Sequence, residues 1–200
     1  MRKLYSRIIY WLVRKEYILE KDIILYEYGI KTLIRGIINF LSILLIGLVF
    51  NSLIEALLLT CVVILIRKFA GGIHLESLTI CYFCSIGIVI IALSIMQYVE
   101  NLINEKHLIL ICLISIILIF IFSPVENYNA TITQKEKKIF KKLSITFSSL
   151  FFIVMLLSYN YKITFYPIGF GIIISATLMI IGVIQIKIQR ILEKGILSIR

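Results

Sequence analysis

The chain has 200 residues, of which 60% are hydrophobic and 16% are charged, and its formal net charge at pH 7 is +10. Soluble domains contain about 45–50% apolar and about 25% charged residues, so the composition excludes an ordinary soluble domain and predicts an all-α polytopic membrane protein. No basic residue stands in a nucleic-acid-binding pattern, and we expect the excess of Lys and Arg to reflect membrane topology.

The N-terminal region, residues 1–31, has the pattern of amphipathic helices. Apolar residues recur at helical spacing in two stretches, and basic residues of the first stretch share another face, as in helices that lie in the membrane interface. The apolar positions are Leu4, Ile8, Trp11 and Leu12, then Leu19, Ile23, Tyr26 and Ile30. Cytoplasmic helices that pack on the core explain these patterns equally well. No small-residue cleavage site follows, so we predict no cleavable signal peptide.

Six apolar segments then predict about six transmembrane helices within residues 32–186. A straight span needs about 20 residues, so the third and sixth segments are the clearest and the second and fourth are short. The segments are 32–50, 53–66, 77–99, 108–122, 143–161 and 163–186. Residues 187–200 form a basic tail, and we predict one membrane domain over residues 1–200.

The distribution of basic residues predicts the orientation. If the six segments cross the membrane in turn, 19 of the 21 Lys and Arg residues fall on one side. Positive loops remain in the cytoplasm, so both termini and the 67–76 loop are expected to be cytoplasmic. The four cysteines lie in apolar segments, which argues against an extracellular disulfide framework.

The stretch from Ile66 to Cys84, IRKFAGGIHLESLTICYFC, combines basic residues, a glycine pair, a histidine, a glutamate and two thiols. Ionisable groups at a membrane boundary indicate a functional site. Ser77 is a plausible N-cap for the third span, which places Cys81 near the end of the first helical turn. On one continuous helix His74 and Cys81 would be separated by about 10.5 Å along the axis. The Gly71–Gly72 pair permits a bend that brings the imidazole over the helix start.

A Cys–His pair of this kind suits thiolate attack on a peptide carbonyl, with the imidazole later protonating the leaving amine. Other interpretations remain open. An interfacial histidine often only snorkels or caps a helix, and Glu76 either orients the imidazole or is a solvated loop charge. His74, Cys81 and Cys84 resemble part of a zinc set, but a fourth ligand is missing, so we predict no metal.

The stretch from Arg67 to His74, RKFAGGIH, followed by Cys81, resembles the signature of the accessory gene regulator B (AgrB) family of membrane endopeptidases, which process quorum-sensing propeptides. The segment 123–127, SPVEN, resembles a second loop of that family, with Ser123 in place of the usual alanine. By this resemblance His74 and Cys81 are the catalytic pair. We place Arg67, Lys68, Gly71, Gly72 and Glu76 in substrate binding.

The activity that the resemblance implies is removal of the C-terminal part of an autoinducer precursor through an acyl-enzyme thioester, followed by cyclisation to a thiolactone or lactone. It requires no cofactor. The implied partners are an amphipathic precursor with an acidic tail and an anionic membrane, without nucleic acid, and the family favours a homodimer. The implied location is the bacterial cell membrane, with a cytoplasmic active site. The alternative is a small peptide transporter or permease, and a structural membrane scaffold is a third option.

Overall fold

The computed structural model describes residues 11, 13–15, 22–73, 78–102, 104–125 and 133–197. Six long helices account for most of these residues, and we number them in chain order. They are α1 (Ile23–Val49), α2 (Leu53–Ala70), α3 (Leu78–Leu102), α4 (Glu105–Phe122), α5 (Gln134–Leu157) and α6 (Lys162–Leu197). The all-α fold class predicted from the composition is confirmed.

Five of the helices, α1, α3, α4, α5 and α6, are long and apolar enough to cross a membrane. Helix α2 was predicted as a sixth span, and it differs because its 18 residues include Glu55 in the first turn and Arg67 and Lys68 in the last. At 1.5 Å per residue α2 is about 27 Å long, slightly less than the hydrocarbon core of about 30 Å. The charged residues of α2 lie at its two ends. A helix of membrane length tolerates charges there because its ends are close to the membrane surface.

The chain divides into two compact units, Met1–Leu45 and Ile46–Arg200. In the first unit, α1 already begins at Ile23, so residues 23–31 of the predicted amphipathic region continue directly into the first apolar segment. Glu27 and Lys31 form an ion pair one turn apart on this helix. Continuous helix is favoured here because no proline interrupts residues 23–49 and because a helix satisfies its own backbone groups within lipid.

The second unit is a helical bundle in which α6 makes extensive contacts with α2, α4 and α5. The packing face of α6 includes Phe165, Ile172, Ala176 and Met179, each at most 2% exposed. Many apolar side chains on the outer faces of α3 and α4 are exposed instead, as expected for helices that face lipid.

Contacts between helix ends define two ends of this bundle. At one end, which we call the Arg67 end, the last turn of α2 meets the segment after α4 and the first turns of α5. At the other, the Glu55 end, the first turn of α2 lies close to Gln97 of α3 and Tyr166 of α6. The basic residues of α2 and of the first turns of α5 thus share the Arg67 end, as the predicted topology requires.

Candidate functional site

The glycine pair after α2 is held by the segment that follows α4. The Val125 N–H donates to the Ala70 carbonyl at 2.9 Å. Gly71 has φ +79°, and a Cβ atom there would lie 2.6 Å from the Val125 carbonyl oxygen. A side chain at position 71 is therefore excluded both by the backbone conformation and by space. The two stretches that carried the family resemblance, separated by about 50 residues, meet at this point.

A second close approach fixes Gly72. A Cβ atom on Gly182 of α6 would lie 2.6 Å from the Gly72 carbonyl carbon and 3.0 Å from the Ile73 nitrogen. Because these neighbours are backbone atoms, a change of side-chain rotamer cannot relieve the contact. The absence of a side chain at Gly182 thus lets the loop after α2 lie directly on α6.

The Arg67 guanidinium supports the same loop from inside. Its Nη2 donates to the Ile73 carbonyl at 3.2 Å, and a Cβ atom on Gly72 would lie 3.2 Å from Nε. Burial lowers the pKa of Arg67, and the electrostatic interaction with Cys81 acts in the opposite direction. An arginine remains protonated in proteins, so a fixed positive charge lies within electrostatic range of the Cys81 thiol.

Cys81 is the fourth residue of α3, which confirms its predicted position at the end of the first turn. The thiol is exposed, and no residue from Thr79 to Cys84 is buried. The buried face of α3 begins later, with Val89, Ala92, Leu93 and Met96. Helix α3 therefore packs on the bundle through its second half, while the half that carries Cys81 is not covered by the other described helices.

The structure brings together five of the seven predicted site residues at the Arg67 end: Arg67, Lys68, Gly71, Gly72 and Cys81. His74 and Glu76 lie outside the described residues, as do Ser77, Glu126 and Asn127. His74 directly follows Ile73, whose carbonyl accepts the hydrogen bond from the Arg67 guanidinium. Among the described residues, no three His, Cys, Asp or Glu side chains are grouped as metal ligands.

Aromatic contacts bring the basic start of α5 to the same end. Phe69, in the last turn of α2, stacks on Phe147 with ring centroids 5.3 Å apart and contacts Phe140 at 6.3 Å. A capping box between Thr133 and Glu136 begins α5. Its first turns contain the predicted basic cluster, which we call the α5 lysines: Lys135, Lys137, Lys138, Lys141 and Lys142.

The family model for accessory gene regulator B (AgrB) matches residues 5–186. The chain belongs to the AgrB family. An AgrB-like protein of Clostridium perfringens strain SM101 is 31% identical over 169 residues, which cover 80% of this chain and 76% of that protein. A second, from C. perfringens strain 13, is 32% identical over 69% of this chain and 66% of its own length. One from Clostridium beijerinckii is 26% identical and covers 64% of each chain. No solved structure matches the chain.

Membership of the AgrB family associates this membrane protein with the processing of quorum-sensing peptides. The structure also gives a physical account of one departure from the family pattern, Ser123. Its hydroxyl is buried and lies 2.6 Å from the hydroxyl of Ser144, which in turn donates to the Lys141 carbonyl at 2.9 Å. The serine thereby ties the segment after α4 to α5.

Two cavities of this AgrB protein lie at the Glu55 end, away from Cys81. One, of about 400 Å³, is lined by residues that include Asn51, Glu55 and Ile163. The other, of about 130 Å³, is lined by Glu55, Gln97 and Tyr166 among others. Because Glu55 lies in the first turn of α2, its carboxylate is at a helix end. Ionisable residues that mark a transport pathway usually lie deeper within the membrane-spanning part of a helix.

Sequence reasoning missed Gly182 and the role of Val125. Gly182 stands in an apolar run without any motif around it, and only its distance to Gly72 identifies it. Val125 was part of the second AgrB-like segment, but a local pattern does not show which distant backbone it will bond.

Proposed function

We propose that this AgrB-family protein is a membrane-embedded cysteine endopeptidase, with Cys81 as nucleophile and His74 as general base and acid. The observation that carries the proposal is the placement of Arg67. Its guanidinium bonds the carbonyl of the residue preceding His74 and lies within electrostatic range of Cys81. A single half-buried cation thus links the loop that leads to His74 with Cys81.

In the first step the Cys81 thiolate attacks the scissile carbonyl of the precursor. The imidazole of His74, having taken the thiol proton, gives it to the departing amine, and the C-terminal fragment leaves. Cys81 lies in the first turn of α3, near the positive end of the helix dipole, and it interacts electrostatically with the Arg67 guanidinium. The N-terminal part of the precursor remains on Cys81 as a thioester.

In the second step a cysteine thiol within the bound peptide attacks this thioester. A sulfur–carbon bond forms, the bond to Cys81 breaks, and a cyclic thiolactone leaves with Cys81 regenerated. Thioester exchange is nearly isoenergetic, so it needs no nucleotide or cofactor. Because forming a thioester from an amide is uphill, removal of the released C-terminal fragment is needed to complete the reaction. An apolar site at the membrane edge limits hydrolysis of the intermediate.

The α5 lysines, together with Arg67 and Lys68, form a basic surface around the proposed site, on the cytoplasmic side by the positive-inside rule. An acidic precursor tail would be attracted to this surface. Contact with anionic lipid, or a role only in setting the membrane topology, explains the same basic residues equally well. The homodimer expected from the family resemblance stays a prediction.

The proposal is tested by reconstituting the protein in vesicles that contain anionic lipid and adding a synthetic precursor with an internal cysteine and an acidic tail. We expect two products: a free C-terminal fragment, and an N-terminal fragment lighter by one water than its linear acid. An intact precursor that accumulates inside the vesicles would contradict proteolysis and favour the transporter alternative.

Arg67→Gln is expected to lower the kcat of cleavage by about 10²-fold, the cost typical of a small misplacement of reacting groups. Arg67→Lys keeps the charge but loses the planar fork that reaches the Ile73 carbonyl, so we expect an intermediate kcat. A positioning role predicts that KM changes little in both variants. If KM instead rises while kcat is retained, Arg67 binds substrate rather than positioning the site.

Replacement of Lys135, Lys138 and Lys142 by glutamine is expected to raise KM several-fold at low salt, because these side chains are exposed and attract the acidic tail. The rise in KM should become smaller above about 0.15 M salt, where ions strongly screen the attraction between the lysines and the acidic tail. Kinetics in zwitterionic vesicles separate attraction of the peptide from attraction to lipid. An unchanged KM in those vesicles would assign the lysines to lipid contact or topology.

A further inference from the structure

Cys81 and Cys84 form a Cys-x-x-Cys pair in the first two turns of α3. Both thiols are exposed and neither is in a disulfide. Cys84 has no role in the reaction proposed above, yet its sulfur is on the same accessible half of the helix as the proposed nucleophile. Redox-sensitive cysteines are typically accessible and adjacent to a second thiol that can resolve the oxidised form.

Helix geometry nearly permits a bond between the two sulfurs. Side chains three residues apart on a helix are neighbours, with Cβ atoms about 5–6 Å apart, whereas a disulfide needs about 3.5–4.5 Å. The required movement is therefore about 1–2 Å. The three helical residues that precede Cys81 have N–H groups without an acceptor inside the helix. The first turn can therefore shift with the loss of few backbone hydrogen bonds.

Packing does not oppose this shift. Residues Thr79 to Cys84 are not buried, and the anchoring face of α3 begins at Val89. By contrast, Cys112 is fully buried, and its Sγ lies 3.5 Å from the Gly169 carbonyl oxygen, where it donates a hydrogen bond. Cys61 is exposed, but it lies on α2. Among the described helices, only α3 carries two cysteines, and they are spaced by about one turn.

We propose that Cys81 and Cys84 form a reversible intrahelical disulfide under oxidation, with Cys84 as the resolving thiol. The formation of the bond is independent of catalysis. Its consequence rests on the proposed function: the disulfide removes the nucleophile, stops precursor processing, and protects Cys81 from irreversible oxidation until a thiol reductant restores it.

The chemistry balances with a peroxide as oxidant. The Cys81 thiolate attacks one peroxide oxygen, the O–O bond breaks, and water leaves after protonation of the departing oxygen, so that Cys81 becomes a sulfenic acid. The Cys84 thiol then attacks this sulfur, the S–S bond forms, the S–O bond breaks, and a second water leaves. Two thiols are oxidised, one peroxide is reduced, and a dithiol reductant reverses the change.

The test exposes the full-length reconstituted protein to hydrogen peroxide, followed by digestion and mass spectrometry without reduction. We expect the peptide that carries both Cys81 and Cys84 to lose two hydrogens, and dithiothreitol to restore them. In Cys84→Ser we expect Cys81 to proceed to sulfinic acid, which dithiothreitol does not reverse. Cys61→Ser, the matched control at another exposed thiol, should behave as the unsubstituted protein does.

Absence of the 81–84 disulfide, or full recovery of Cys81 by dithiothreitol in Cys84→Ser, would overturn the proposal. Cleavage activity is followed in parallel and should fall and recover together with the disulfide. If the disulfide forms while cleavage continues unchanged, the redox site stands and Cys81 is not the nucleophile. Different results of this experiment would therefore contradict the proposed disulfide and the proposed catalytic role of Cys81.

Discussion

Replacement of Cys81 by alanine is expected to reduce precursor cleavage by at least about 10⁴-fold, the order of loss seen when a covalent nucleophile is removed. His74→Ala should cause a loss of similar order, because a nucleophile and its base act as one unit and their effects do not add. The measurement is the initial rate of C-terminal fragment release by vesicles that contain equal amounts of each variant. Membrane insertion should be unchanged, since the Cys81 side chain is exposed and does not pack in the bundle.

Cys84→Ala is the matched control, because it removes a second exposed thiol from the next turn of the same helix. We expect it to retain most of the activity under reducing conditions. If Cys84→Ala were inactive while Cys81→Ala cleaved normally, the nucleophile would be misassigned. Loss of activity in both single variants would indicate that the first half of α3 is needed as a structure rather than for one sulfur.

Gly182→Ala is expected to lower cleavage by about 10²-fold and to destabilise the protein by about 1–3 kcal/mol, the usual cost of overpacking. The new methyl group would lie 2.6 Å from the Gly72 carbonyl carbon and 2.8 Å from its oxygen. Relief of this clash requires the loop after α2 to move away from α6, and the loop leads directly to His74. Cleavage rate and thermal unfolding in detergent measure the two effects.

Gly87→Ala provides the control, because a Cβ atom at Gly87 in α3 meets nothing within 4 Å. In a helix interior this change is expected to stabilise the protein by about 0.5–1 kcal/mol and to leave cleavage unaltered. A Gly182→Ala protein as active as the Gly87→Ala protein would mean that the contact between Gly72 and Gly182 does not position the site.

Much of the fold could be predicted because hydrophobic segment length is the strongest signal in a membrane protein. The six apolar segments correspond to α1 to α6, and the N-cap predicted at Ser77 lies outside the described residues. Boundaries were less predictable. Helix α5 begins at Gln134, nine residues before its apolar segment, because Thr133 and Glu136 form a capping box and lysines favour a helix.

The site could be predicted as a stretch of sequence but not as an arrangement. Spacing indicated that Gly71 and Gly72 permit a bend, and the structure adds what holds the loop: Val125 on one side and Gly182 on the other. These contacts join segments about 50 and 110 residues apart, which local periodicity does not encode. The same reasoning applies to Arg67. A basic residue before a glycine pair indicated substrate binding, which stays a prediction, and the bond to the Ile73 carbonyl suggests a positioning role in addition.

The most direct test of the account is to trap the acyl-enzyme. A synthetic precursor in which alanine replaces the internal cysteine cannot cyclise, so cleavage should leave its N-terminal part on the protein. After rapid acid quenching and digestion, we predict that mass spectrometry finds this fragment as a thioester on the peptide containing Cys81, removable by hydroxylamine and absent in Cys81→Ala. Release of the C-terminal fragment by the Cys81→Ala protein, or attachment of the fragment to Cys84 instead, would contradict the account.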